Sequence, residues 1–186
     1  MASLVFRSPV AADGVAIWRL ARDTGVLDVN SPYYYLAFCT RFARSSIVAE
    51  EDGRVLGFVT GLLDPDPGTL FVWQVGVDAS ARGRGIASRM LDALLGSEGC
   101  RDVRRLDTTV TPSNQASMAL FRALARRWGA DVEESVFLRA GDFPPDGDHE
   151  PEHLLSIAPL GEGPVGVGTE TGGGEPTTRA RGEEIA

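Results

Sequence analysis

The chain contains no lysine. All 18 of its basic residues are arginine, which excludes Schiff-base chemistry on a protein amine and the lysine-dependent Walker A phosphate loop. Cysteine is scarce too: Cys39 and Cys100 are the only two and lie far apart, so reduced thiols are expected rather than a disulfide. Neither has a histidine partner close in sequence, which argues against a cysteine nucleophile. No run approaches the roughly 18 apolar residues needed to cross a bilayer. The opening MASLVFRSPVAAD lacks the charged start and long apolar stretch of a signal peptide, so a cytoplasmic protein with no membrane partner is expected. Positive charge is also in deficit. With 26 acidic residues against 18 basic, the net charge is −8 and the pI about 4.8, which argues against a nucleic-acid partner because such binding rests on a basic face.

What is present suffices for one substantial core. At 186 residues and 43% hydrophobic, a single domain over residues 4–160 is expected. From Gly161 the composition turns to Gly, Pro, Thr and charge, which buries too little surface to offset its ordering entropy, so 161–186 reads as a disordered tail.

Leu4–Arg7 reads as a strand. Pro9 and Asp13 open a helix whose apolar positions Val15, Ile17, Trp18 and Ala21 recur at roughly helical spacing until Gly25 ends it. A second helix is expected over Pro32–Phe42. Ile47–Glu50, the Asp52-Gly53 turn and Val55–Leu62 form a hairpin signal, and Thr69–Val77 follows as another antiparallel candidate. A cradle helix, Gly85–Leu95, precedes a strand at Val103–Val110. That strand–helix–strand crossover implies one parallel junction. Thr111-Pro112-Ser113-Asn114 caps a helix running to about Trp128, with Leu120, Leu124 and Trp128 on one stripe. Val132–Arg139 and Leu154–Ile157 complete the sheet.

The most informative stretch is Trp73–Leu91, WQVGVDASARGRGIASRML, an apolar strand running through an Arg- and Gly-rich turn into an amphipathic helix. A helix N-terminus offers unpaired N–H groups and the positive end of a dipole, and glycines let a polyanion approach the backbone. Arg82, Arg84 and Arg89 add positive charge on an acidic protein. The competing readings are a dinucleotide fingerprint, opposed by Ser88 and by the mid-chain position, and a purely structural turn. Arg82-Gly83-Arg84-Gly85-Ile86-Ala87 resembles the R-x-x-G-x-[GA] loop of the GCN5-related N-acetyltransferases, which bind acetyl-coenzyme A there. The element order βααβββαβαββ fits the fold which that resemblance implies: α+β (mixed α/β), with a splayed, mixed but mostly antiparallel sheet flanked by helices.

Two further segments carry chemistry. His149–His153, HEPEH, satisfies the H-E-x-x-H zinc pattern in letters, but Pro151 disfavours the continuous helix that such a site needs. It reads instead as a polar surface loop or as a loop over a substrate pocket, with no metal. LDVNSPYYYLAF, Leu27–Phe38, reads as a turn before a core helix, with its three tyrosines on different faces so that at least one is exposed. Together DVNSPYYYL, WQVGVD, TVTPSNQASMALFRALA and HEPEHLLSI resemble the L-2,4-diaminobutyrate acetyltransferases of ectoine biosynthesis across nearly the whole folded region.

That resemblance implies a set of roles. Backbone groups near Val75 and Val77 would meet the pantetheine arm, while Arg82, Gly83, Arg84, Gly85, Ile86 and Ala87 would bind the pyrophosphate and Asn114 the coenzyme. Phe121 stands where many relatives carry a tyrosine that protonates the departing thiolate, so another tyrosine or water must serve. Asp28, Tyr33, Trp73, His149 and Glu152 would bind a small diamine, with Glu152 or His149 as proton relay. The family also implies a homodimer. Acetylation of another small amine, amino acid or peptide N-terminus is the alternative activity, and an acyl-coenzyme A sensor is the alternative outside catalysis.

Overall fold

The computed structural model describes residues 3–145, 147 and 149–164. Its elements are β1 (Leu4–Arg7), α1 (Gly14–Thr24), α2 (Pro32–Thr40), β2 (Ile47–Glu51), β3 (Arg54–Leu63), β4 (Thr69–Val77), α3 (Ile86–Leu95), β5 (Arg105–Val110), α4 (Gln115–Arg127), β6 (Asp131–Leu138) and β7 (Glu152–Ala158). The strands form one sheet in the order β1-β2-β3-β4-β5-β7-β6. Every pair is antiparallel except β4 with β5, the junction that the crossover through α3 dictates. No helix among the described residues is long and apolar enough to cross a membrane.

The sheet separates two cores. On one face α3 and α4 bury Ile86, Met90, Leu91, Phe121 and Leu124 against Leu70, Val72, Leu106, Leu155 and Ile157. On the other, Ile17, Leu20 and Ala21 of α1 and Tyr35 and Cys39 of α2 pack on Val48 and Phe58. Cys39 and Cys100 are both free and buried, and burial pushes each thiol up to about 11, so neither is a ready nucleophile.

Several boundaries differ from the sequence-based expectation, each for a local reason. Val15 is 45% exposed, because the buried stripe of α1 runs through Gly14, Ile17, Leu20 and Ala21. α2 ends at Thr40, where the Thr40 hydroxyl donates to the Leu36 carbonyl and the Phe42 N–H reaches back to the Ala37 carbonyl. β5 begins at Arg105 rather than Val103, since the N–H groups of Arg104 and Arg105 both donate to the Gly68 carbonyl and pin this segment to the turn before β4. β7 begins at Glu152, so the last two residues of the HEPEH segment are strand. At the C-terminal boundary Leu160 is buried and the Gly161 N–H donates to the Trp128 carbonyl at 2.9 Å. The expected tail beyond 164 lies outside the described residues.

Two irregularities of β4 position the site. Its parallel pairing with β5 covers only Thr69–Val72 against Arg105–Thr108, closed by the Thr108 hydroxyl donating to the Val72 carbonyl at 3.0 Å. Beyond that rung the two strands part. In addition, Thr60 of β3 lies opposite Gln74 while Gly61 lies opposite Val72, so Trp73 is an inserted residue, a β-bulge, and such bulges re-aim side chains.

The two helices behind the sheet are tied by a carboxylate. Asp92 of α3 accepts from the Arg127 guanidinium at 3.0 Å and from the Trp128 indole N–H at 2.9 Å. Asp92→Ala leaves both donors without their partner and should cost about 2–3 kcal/mol, the range for hydrogen bonds to charged groups. Chemical denaturation measures it, and a change below about 0.5 kcal/mol would contradict this role.

Candidate active site

After β4 the chain makes a short 3-10 turn at Ala79–Ala81, begun by the Asp78 carboxylate accepting from the Ser80 N–H at 2.9 Å. Gly83 (φ 77°) and Gly85 (φ 69°) then take left-handed conformations on either side of Arg84, and Gly85 is the N-cap of α3. A Cβ at either glycine would touch nothing within 4 Å, so glycine is required here for backbone conformation, and the space above is open to a ligand. The N–H groups of the first turn of α3 have no intrahelical acceptor. Together they form a concave anion site of the kind made by successive backbone amides.

The arginine side chains contribute less than their number implies. Arg84 is spent on the Glu51 carboxylate at 2.6 and 3.1 Å, and Arg89 lies 4.8 Å over the Phe6 ring. Arg82 reaches the Thr24 carbonyl at 3.4 Å. What Arg84 offers a bound anion is therefore its backbone N–H.

Between the parted strands, residues 73–77 of β4 keep β3 on one side and, among the described residues, have no strand on the other. Alternate backbone groups there turn toward the gap. Val75 and Val77 lie in this stretch with their side chains against the α3 core. Across the gap, Asn114 caps α4 by accepting from the Ser117 N–H at 3.0 Å.

A cleft of about 590 Å³ opens beside the gap. Asp28 and Asn30 of the α1–α2 loop, Phe71, Trp73 and Gln74 of β4, Thr109 of β5, Asn114, Phe143 and Glu152 of β7 all line it. Trp73 is half exposed and meets Phe71 edge-on at 6.1 Å. Burial pushes the Glu152 carboxyl above the ordinary glutamate range; the Thr109 hydroxyl opposes the shift, and the negative charges of Asp28 and Glu150 add to it. A carboxylate so placed is a stronger base than one in water.

The structure thus brings Asp28, Trp73, Asn114 and Glu152 to one cleft. It does not bring Tyr33, which is 78% exposed and absent from the lining; Tyr35, on another face of α2, is fully buried. His149 is exposed and stacks on the lining residue Phe143 at 4.7 Å. His153 sits on the opposite face of β7 from Glu152, with its Nδ1 2.8 Å from Glu134. The two imidazoles of HEPEH therefore do not converge. Among the described residues no group of three or more metal-ligating side chains comes together.

Gln74 and Thr109 are cleft residues that the sequence does not single out, and Glu150 stands out in it only as part of HEPEH. Gln74 lies inside the WQVGVD segment, and the bulge that turns it into the cleft has no local signature. Thr109 faces the cleft by strand alternation. Glu150 accepts from the Ser113 N–H at 3.2 Å and its hydroxyl at 2.5 Å, tying the loop before β7 to the turn that caps α4.

Residues 15–125 match the model of the acetyltransferase (GNAT) family. The chain is 47% identical over 165 residues to the L-2,4-diaminobutyric acid acetyltransferase of Streptomyces coelicolor, covering 87% of this chain and 96% of that one. Identity to the enzyme of the same name from Nocardia farcinica is 45% over 159 residues, 85% of this chain and 81% of that one. A solved diaminobutyrate acetyltransferase from Paenibacillus lautus, in complex with its substrate L-2,4-diaminobutyric acid and coenzyme A, superposes with a TM-score of 0.82 at 42% identity, covering 86% of this chain and 96% of that one.

Two measurements test this geometry. Asp28→Asn removes a negative charge that raises Glu152, so the Glu152 titration midpoint, followed by carboxyl 13C NMR, should move to lower pH; an unmoved midpoint means that the two carboxyls do not share the cleft. Gly85→Val forces a β-branched residue into the left-handed region at about 1–2 kcal/mol. Coenzyme A affinity, read by calorimetry, should fall about tenfold, and an unchanged affinity would place the anion elsewhere.

Proposed function

The chain belongs to the acetyltransferase (GNAT) family, and from that premise we propose that it transfers acetyl from acetyl-coenzyme A to the 4-amino group of L-2,4-diaminobutanoate. The product is N4-acetyl-L-2,4-diaminobutanoate, and the reaction is a step of ectoine biosynthesis. The observation that carries this reading is the pairing of Asp28 with Glu152 in an aromatic-walled cleft beside the parted edge of β4. A diamine with two ammonium groups and one carboxylate is a net cation, and the cleft is acidic.

The open cradle fits the coenzyme. The N–H groups of Gly83 through Ala87 and the side chain of Arg82 hold its pyrophosphate, Asn114 contacts it across the gap, and the backbone at Val75 and Val77 meets its pantetheine arm. The bound coenzyme supplies the acetyl group as an activated thioester. On the acceptor side Asp28 pairs with one ammonium group, and the Trp73 ring adds cation–π attraction of about 0.5–2 kcal/mol.

An alkyl ammonium is almost wholly protonated at neutral pH, so the attacking nitrogen must first lose a proton. Glu152 takes it, directly or through one water, because its half-buried carboxyl is the raised one in the cleft. His149, stacked outside the lining, steadies Phe143 instead. The chain has three tyrosines: Tyr33 points away, the Tyr34 hydroxyl faces Thr60 and the Tyr35 hydroxyl donates to Gln74. Phe121 is a buried core residue. The departing thiolate therefore draws its proton from water. We take the molecule to be a cytoplasmic homodimer, supported by the family resemblance and by exposed Val136 and Phe137 on the edge strand β6.

A thiol-release assay with acetyl-coenzyme A and a panel of amines, followed by product NMR, tests the assignment. Diaminobutanoate should be the best acceptor and the 4-amino group the acetylated one. Glu152→Gln should lower kcat by about 100-fold or more, the range for loss of a general base, with acetyl-coenzyme A binding kept. Turnover confined to another amine would reassign the acceptor, and tight coenzyme binding without any turnover would indicate a sensor.

A further inference from the structure

Asp28 stands on a loop with little support of its own. Between Gly25 and Ser31 the chain has no helix or strand; the N–H groups of Val26 and Leu27 lie 3.4–3.5 Å from the Thr24 hydroxyl, at the limit of hydrogen bonding. Yet two points further along this loop are fixed from the sheet. The Gln74 amide donates to the Asp28 carbonyl at 2.7 Å. Its oxygen accepts from the Tyr35 hydroxyl at 3.2 Å, and that hydroxyl in turn accepts from the Asn30 N–H at 3.3 Å.

Both side chains are committed to this task by their surroundings. Tyr35 is fully buried and Gln74 is 8% exposed, and a buried polar group without a partner is costly, so each is held where its partners are. Gln74 reaches this position because Trp73 is the inserted residue of β4. The same short piece of strand thus borders the coenzyme's gap and grips the loop that carries the acidic residue.

We propose that Tyr35 and Gln74 are positioning residues for the diamine: a neutral clamp that sets the place of the Asp28 carboxylate and so determines acceptor affinity, without touching the donor. The proposal rests on the reading of the cleft as a diamine site. Tyr35→Phe keeps the ring and its packing and removes only the hydroxyl. The KM for diaminobutanoate should rise about three- to tenfold, and in Gln74→Leu about tenfold or more: each variant loses two hydrogen bonds, but only Gln74→Leu removes the one made directly to the Asp28 carbonyl. In both variants the KM for acetyl-coenzyme A should stay within about twofold.

Amide exchange gives a readout that needs no turnover. In Tyr35→Phe the Asn30 N–H loses its acceptor and should exchange at least about tenfold faster, while amides of the β4 core hold their protection. Unchanged exchange at Asn30 overturns the clamp, and so does a diaminobutanoate KM that fails to rise or rises together with that for acetyl-coenzyme A. If the wild-type protein does not acetylate diaminobutanoate, the acceptor assignment fails, and the clamp is still decided by the Asn30 exchange rate.

Discussion

β4 keeps β5 as its neighbour for four residues and then loses it. In the interior of a sheet a strand edge normally finds a partner, because unpaired N–H and C=O groups away from water are costly. Here the edge opens instead into the space between α3, α4 and the cleft, where a ligand backbone could take the place of a strand. The rest of the site follows from that opening. The bulge at Trp73 turns two consecutive side chains to the acceptor side, the chain leaving β4 runs directly into the glycine cradle, and β7 brings Glu152 to the far wall. Donor and acceptor sites are two ends of one interrupted ladder.

Charge in this protein is arranged by contrast rather than by amount. An excess of acid covers the whole chain, yet the cradle is positive chiefly through the backbone, since Arg84 is neutralised by Glu51. That suits a polyanion, because fixed N–H groups keep their orientation whatever the ionic strength, whereas exposed side-chain charges are screened. The cleft works the opposite way. Its two carboxylates are close enough for Asp28 to act on Glu152, a repulsion that a cation between them would relieve.

Much of this was legible from the residues, and the parts that were not share a cause. Hydrophobic period marked α1, α3 and α4; Asp52 and Gly53, both with positive φ, marked the hairpin; Asn114 marked a cap, and Gly83 and Gly85 the cradle. These are local signals, each read within a few residues. The insertion of β7 between β5 and β6, the bulge at Trp73 and the grip of Gln74 on Asp28 depend on pairing between separate elements, and no local pattern announces them. The HEPEH segment shows the same limit from the other side. Its letters match a zinc pattern that Pro151 argues against, and the reading as a loop holds for His149 but not for Glu152 and His153, which strand alternation sends to opposite faces of β7.

The position of β7 also has a temporal meaning. It follows every other described strand in the chain yet occupies an interior place in the sheet, so during synthesis β5 must wait with one edge bare until β7 has left the ribosome. Glu152 begins that strand. A chain cut short before that strand has no Glu152 to share the cleft with Asp28. Of the residues that line the cleft, the one with the raised carboxyl is thus the last to be synthesised.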